Sequence, residues 1–190
     1  MSKQERAREW FNRGIDFFKR GQLEDAVSCY DNAFEINPRS AHALLNKGFA
    51  LERLGRCEEA LKCYHKATEI PPIFFSEWVD KGSALELLGK LDEALKCYDK
   101  AIKINPADDR AWINKGDALI KLARFEEALK CCDKGIETDP KHASAWFNKG
   151  TALIKLGRSD EALTCFEKAR ALVEQSRNEF SLSKICDKHK

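Results

Sequence analysis

The chain has 190 residues, 43% of them hydrophobic and 34% charged, which is too apolar for a disordered chain and long enough for one ordinary globular domain. Its 33 basic and 31 acidic side chains leave a net charge of +2, a balance that gives no overall pull toward nucleic acid or an anionic membrane surface. No run approaches the ~18 apolar residues of a membrane span, and the polar start from Met1 to Glu9 lacks the apolar stretch of a secretory signal, so a cytoplasmic location is expected.

From Ala7 the chain repeats every 34 residues without an insertion. Glycines stand in register at Gly14, Gly48, Gly82, Gly116 and Gly150, and alanines at Ala26, Ala60, Ala94, Ala128 and Ala162. A fixed period of this length means one small unit copied and stacked, and it overrides the expectation of a compact globule. Repeat one, 7–40, carries Trp10, Tyr30 and Pro38, with Asp16 where later repeats have alanine, a choice that suits a first helix left uncovered. Repeat two, 41–74, has Leu44 in the tryptophan slot and runs into Pro71-Pro72-Ile73-Phe74-Phe75, which is either filler between units or an apolar contact for a partner or a second copy.

Repeat three, 75–108, shows the unit most clearly. Trp78, Val79, Gly82, Leu85 and Leu88 recur at helical spacing, and after Gly89 so do Leu91, Ala94, Leu95, Tyr98, Ala101 and Ile102, which predicts helix, turn, helix. Gly21, Gly55, Gly89 and Gly157 sit where the first helix must stop and a left-handed residue is needed. Repeat four, 109–142, has Ala123 at that point, at a cost of about 1 kcal/mol, and Cys132 and Gly135 in its aromatic and alanine slots predict looser packing. Repeat five, 143–176, has Phe166 and no closing proline. Its second helix either runs straight on, or the tail 177–190 supplies a capping helix through Phe180, Leu182 and Ile185.

Acidic pairs such as Glu58-Glu59 and Glu126-Glu127 follow each turn, at the positive end of the second helix, with Lys62, Lys96 and Lys130 four residues on as predicted ion-pair partners. A glycine inside a first helix costs about 1 kcal/mol in propensity, so a close approach must offset it, and the alanine column of the second helix is the expected neighbour. Five of the eight cysteines, Cys29, Cys63, Cys97, Cys131 and Cys165, share one slot. Stacking at a helix diameter of about 10 Å keeps them too far apart to bridge, so they read as small packing residues in a reducing compartment, with Cys57 and Cys186 outside the column as the redox alternative.

The residues Trp78, Leu85, Gly82, Ala94, Tyr98, Ala101 and Pro106, copied in phase from 7 to about 176, resemble the tetratricopeptide repeat. That resemblance implies an all-α, right-handed α-α superhelix of five helix-turn-helix repeats plus a C-terminal capping segment. It gives a domain over 1–176 and a solvating helix or tail over 177–190, with first helices lining a concave groove. The seventh slot departs from the family's leucine: it holds Arg13, Lys47, Lys81, Lys115 and Lys149, whose stems pack while the charges reach water.

No glycine loop has phosphate-binding spacing, and His42, His65, His142 and His189 share no metal-ligand spacing, so neither catalysis, a metal nor a cofactor is expected. The slots that the family turns toward its groove hold the functional candidates. The sixth slot reads Asn12, Asn46, Asp80, Asn114 and Asn148, amides suited to pair with a peptide main chain or, alternatively, with a neighbouring helix end. Beside it run Phe11, Leu45, Val79, Ile113 and Phe147 as an apolar strip, and Arg8, Arg110, Lys121 and Lys155 as part of a basic rim. The expected function is a non-enzymatic scaffold for a partner's peptide segment, with self-association through open repeat ends or Phe74-Phe75 as the alternative. Chaperone C-terminal tails are not expected partners, because the slots of the family's carboxylate clamp hold Phe11 and Ile15, or Leu45 and Phe49. Nucleic acid is not expected either, since no stacking aromatics interleave the seventh-slot cations.

Overall fold

The computed structural model describes the backbone of residues 2–187 and the side chains of residues 2–177. Among the described residues are ten helices and no strand: α1 (Lys3–Lys19), α2 (Leu23–Ile36), α3 (Ala41–Arg53), α4 (Cys57–Glu69), α5 (Phe75–Leu87), α6 (Leu91–Ile104), α7 (Asp109–Lys121), α8 (Phe125–Thr138), α9 (Ala143–Lys155) and α10 (Ser159–Asp187). The chain divides into two compact units, residues 1–100 and 101–190, with the boundary inside α6.

Local chemistry sets the helix limits. Ser2 Oγ accepts from the Glu5 amide at 3.1 Å while the Ser2 amide donates to Glu5 at 2.6 Å, a reciprocal cap that opens α1. Ser40 and Asp108 accept from the amides of Ala43 and Ala111 at the starts of α3 and α7. At α5, where Phe74 offers no oxygen, Glu77 reaches back to the amides of Ile73 and Phe74. The turn glycines all take the left-handed conformation, with φ of 76° at Gly55, and Ala123 is the one non-glycine residue among those described that shares it, at φ 57°. In repeats two, four and five the second carboxylate after the turn pairs backward with an arginine, where the spacing predicts a forward pair from the first carboxylate to lysine: Arg56–Glu59 at 2.6 Å, Arg124–Glu127 at 2.7 Å and Arg158–Glu161 at 2.6 Å. The arginine precedes the helix, so its flexible stem lays a bidentate fork on a carboxylate already fixed in the first turn.

In the first unit, α1 packs on α2, α3 on both α2 and α4, and α5 on α3 and α4. The core joins Ala26, Tyr30, Leu44, Leu45, Ala50, Leu51, Ala60, Tyr64 and Ala67. In the second unit α7, α8 and α9 pack on one another and α10 packs on α9, with Leu153, Ala162 and Cys165 buried between the last two.

The helix glycines face something other than the expected alanines. A Cβ built on Gly14, Gly48, Gly82 or Gly150 would stand 2.6, 2.2, 2.4 or 2.7 Å from the ring of Tyr30, Tyr64, Tyr98 or Phe166 respectively. The bare glycine is therefore a seat for a buried aromatic edge from the second helix. Repeat four pairs Gly116 with the smaller Cys132, whose Sγ would lie 3.1 Å from the added carbon. Nor is that repeat loosely packed: the space left by Gly135 is taken by Ile113, whose Cγ1 would lie 3.0 Å from a Cβ there, and Cys132 is fully buried.

Two of the seventh-slot lysines join neighbouring repeats within a unit. Lys47 pairs with Asp31 at 2.5 Å and Lys149 with Asp133 at 2.6 Å, each bridging a first helix to the second helix before it. Trp112 and Trp146 donate from Nε1 to the carbonyls of Pro106 and Pro140, both at 3.0 Å, tying each linker to the helix that follows. Repeat five has no such linker, because α10 continues as helix from Ser159 to Asp187. The side chains of Phe180, Leu182 and Ile185, expected to cap the stack, lie outside the described residues.

Candidate functional site

The first helices of each unit carry the residues picked out by spacing. In the first unit Arg8 and Asn12 are exposed on α1, and Phe11 is half-buried, its ring 5.7 Å from Tyr30 and 5.0 Å from His42. His42 Nδ1 donates to Asp80 at 3.0 Å, so an aromatic contact and a hydrogen bond link α1, α3 and α5. Asn46 Nδ2 donates to the His42 carbonyl one turn back at 2.9 Å. Its amide therefore spends a donor on its own helix.

In the second unit α7 and α9 lie side by side. Between them is a hollow of about 290 Å³ lined by Arg110, Ile113, Asn114, Asp117, His142, Ser144 and Asn148. Asn148 Nδ2 donates to the Ile113 carbonyl at 3.4 Å, the neighbouring-helix bond that is the alternative to peptide contact, and its amide oxygen remains on the acceptor side. His142 Nδ1 is buried without a hydrogen-bond partner in this wall. The basic rim is largely neutralised here, since Arg110 pairs with Asp108 at 3.0 Å and Lys121 with Asp117 at 2.9 Å, while Lys155 is exposed at the end of α9.

The apolar strip is not continuous surface. Leu45, Val79 and Ile113 are buried, 4%, 3% and 4% exposed, because the helix that follows each of Leu45 and Ile113 in its unit covers it. They support the wall and offer no side chain to a ligand. Phe147 alone is widely open, 57% exposed, at a groove of about 720 Å³ between α9 and α10 whose floor is Ala143, Phe147, Phe166, Ala169 and Val173. Spacing missed this groove, since Phe166 reads as repeat packing and the relevant signal is that α10 continues to Asp187 where earlier repeats turn back into a first helix.

The buried thiols are poorly suited to chemistry, whereas Cys57 is exposed and the side chain of Cys186 lies outside the described residues. Burial pushes Cys29, Cys63, Cys97 and Cys165 up from the ordinary value and Cys132 up to about 12, away from the reactive thiolate. Tyr30 is likewise pushed up to about 12 by burial. Among the described residues no cluster of three His, Cys, Asp or Glu side chains has metal-holding geometry, and no helix is long and apolar enough to cross a membrane.

Paired helices with left-handed turns, an aromatic-on-glycine seat in each of four repeats and lysine bridges between repeats define an all-α helical-repeat protein. Tetratricopeptide repeat models match residues 41–74, 87–147 and 131–164, and a TPR repeat model matches 14–55; the chain belongs to the tetratricopeptide repeat family. Among solved structures it is similar to MamA from Desulfovibrio magneticus RS-1, with 21% identity, TM-score 0.59 and coverage of 92% of this chain and 98% of that one. It is also similar to YrrB, described as a TPR protein with an unusual peptide-binding site, at 24% identity, TM-score 0.53 and coverage of 92% and 90%. A third likeness is to the APC/C hetero-tetramer Cut9-Hcn1, at 17% identity and TM-score 0.68, covering 88% of this chain and 33% of that one. No curated protein matches the sequence.

Proposed function

We propose that this protein is a non-enzymatic interaction scaffold that binds an extended segment of a partner protein across α7 and α9. The observation that carries the reading is the polar hollow between those helices, where Asn114, Asn148, Ser144, Arg110 and Asp117 bring donors and acceptors of both kinds to one open wall. Such a wall suits a peptide main chain, which offers one donor and one acceptor per residue. The unusual peptide-binding site described for YrrB supports the same use of this fold. Three of the five seventh-slot cations, Lys47 on Asp31, Lys149 on Asp133 and Arg13 stacked on Trp10 and Phe17, are already engaged, which makes the column a poor track for nucleic acid. Buried free cysteines fit a reducing compartment such as the cytoplasm.

A displayed random-peptide library panned against the protein, followed by titration of an enriched peptide, tests the reading. Asn114→Ala with Asn148→Ala is expected to weaken that peptide by about tenfold or more with helicity unchanged. Full affinity in the double variant would sink the assignment to this wall.

A second reading rests on Ile73 and Phe74, 62% and 65% exposed in the linker before α5. A second copy of the chain is the natural cover for that apolar pair. Light scattering decides: a mass that stays monomeric across concentration removes self-association, and a dimer that Phe74→Ser dissolves supports it.

A further inference from the structure

The groove between α9 and α10 repeats an interface that the chain fills elsewhere. In the second unit α9 lies on α7 and α8, with Ala145 and Ala152 fully buried, Asn148 bonded to the Ile113 carbonyl and Lys149 paired with Asp133, while Leu153 packs on Ala162 and Cys165 of α10. In the first unit α3 meets α2 in the same register: Ala43 and Ala50 are 1% and 0% exposed, Leu51 is 0% exposed, and Lys47 pairs with Asp31. The covering helix thus reads Ala-Leu-x-x-Lys-x-x-Ala-Leu at 43–51 and Ala-Trp-x-x-Lys-x-x-Ala-Leu at 145–153.

The last pair of helices presents the same receiving surface, and among the described residues no helix lies on it. Phe147 stands where Phe11 and Ile113 stand, Phe166 where Tyr30 and Cys132 stand, Ala169 where Ala33 and Gly135 stand, and Glu167 where Asp31 and Asp133 stand. Yet Phe147 is 57% exposed whereas Ile113, under α9, is 4% exposed. The chain does not supply the cover as it does earlier, by turning back after four linker residues, because α10 runs on as helix through Asp187.

We propose that this groove docks an α-helix of a partner protein that carries the pattern Ala-(Trp or Leu)-x-x-Lys-x-x-Ala-Leu. The alanines permit close approach over Phe147 and Ala169, the tryptophan or leucine after the first alanine covers the apolar floor, and the lysine reaches Glu167. The occupant is not α1 of a second copy. That helix has an arginine, Arg13, in the lysine position, but it has Asp16 where Ala50 and Ala152 are fully buried, and docking would bury that carboxylate against apolar side chains. This groove borders the wall of α7 and α9 and shares Ser144 and Asn148 with it, but Asn114 lines the wall alone, so Asn114→Ala perturbs that wall and leaves this groove intact.

The probe is a fluorescein-labelled synthetic peptide carrying the sequence of residues 142–157, titrated with the full chain and followed by fluorescence anisotropy. Saturable binding is expected, with a loss of about tenfold or more when the peptide carries Ala152→Asp or the protein carries Phe147→Glu, an exposed change that leaves the fold in place. Glu167→Lys is expected to weaken the parent peptide by about threefold, and a peptide with Lys149→Glu to recover that loss. Absence of saturable binding, or binding indifferent to Phe147→Glu and to the charge exchange, overturns the proposal. So does a concentration-dependent dimer that Phe147→Glu dissolves, since a second copy would then own the groove. Persistence of binding in Asn114→Ala separates this result from the fate of the peptide-binding wall.

Discussion

Repeats two and four fold to the same helix pair with different interiors. In repeat two, Gly48 seats the ring of Tyr64, which is fully buried, and the first helix ends on Gly55. In repeat four, Gly116 seats only Cys132, Ile113 fills the space over Gly135, and the turn is made by Ala123 at φ 57°. A stacked fold therefore conserves the volume at each joint, not the residue. Volume removed at one slot is returned from a neighbouring one, because an interior at crystal-like density tolerates neither void nor overlap.

The widest contrast between the two repeats should be in thiol access. Cys57 is exposed at the start of α4, whereas Cys132 is fully buried with its thiol pushed up to about 12 by burial. In the native state at neutral pH, mass-spectrometric labelling with a maleimide is expected to modify Cys132 at least about a thousandfold more slowly than Cys57. Comparable rates would mean that repeat four opens far more readily than its packing implies.

Next in size is the glycine seat. Gly48→Ala forces a carbon to 2.2 Å from a ring that has nowhere to move, and a loss of about 2 kcal/mol or more is expected, net of the ~1 kcal/mol that alanine gains in helix propensity. Gly116→Ala meets only Cys132 Sγ at 3.1 Å and is expected to lie within about 1 kcal/mol of zero, on the stabilising side. Urea unfolding midpoints measure both, and equal losses would break the comparison.

The turn residues should exchange a smaller amount in opposite directions. Ala123→Gly relieves a left-handed alanine and is expected to raise stability by about 1 kcal/mol, and Gly55→Ala to lower it by about as much. The smallest effect is one the two repeats should share. A hydrogen bond from Arg56 holds the Glu59 carboxyl below its ordinary value of 4.5, and Arg124 does the same for Glu127. A depressed folded value means that the contribution is present above pH 4.5 and is lost as pH falls through the folded value. Acid titration of Glu59→Gln and Glu127→Gln should thus flatten the same low-pH limb slightly in each, and a difference confined to neutral pH would contradict the pairing.

The fold was legible in the residues because its signals are local and copied. Left-handed turns need Gly55 and its counterparts whatever surrounds them, and the first-turn carboxylates face a helix dipole that every second helix has. The partners across each joint were less legible. Gly48 reads as a seat for a small residue until the ring of Tyr64 is seen to lie on it, and Lys47 reads as a solvated charge until Asp31 is found beside it. The candidate site was legible as a set of helix positions and misread as a surface, since Leu45 and Ile113 share a slot with Phe147 and only burial by the following helix separates them.

By itself the sequence determined the unit, the number of copies and the order of helix, turn and helix, because period, glycine turns and amphipathic spacing act within one repeat. Only the tertiary structure decided which member of each column remains available. Asn46 and Asn148 spend donors on the carbonyls of His42 and Ile113, three of the five apolar slots are covered, and Phe147 is open because α10 runs on as helix through Asp187 and no described helix lies over that ring. The physical reason is that exposure and hydrogen-bond partnership belong to contacts between repeats, and identical residues in a periodic sequence acquire different neighbours at its ends and in its middle.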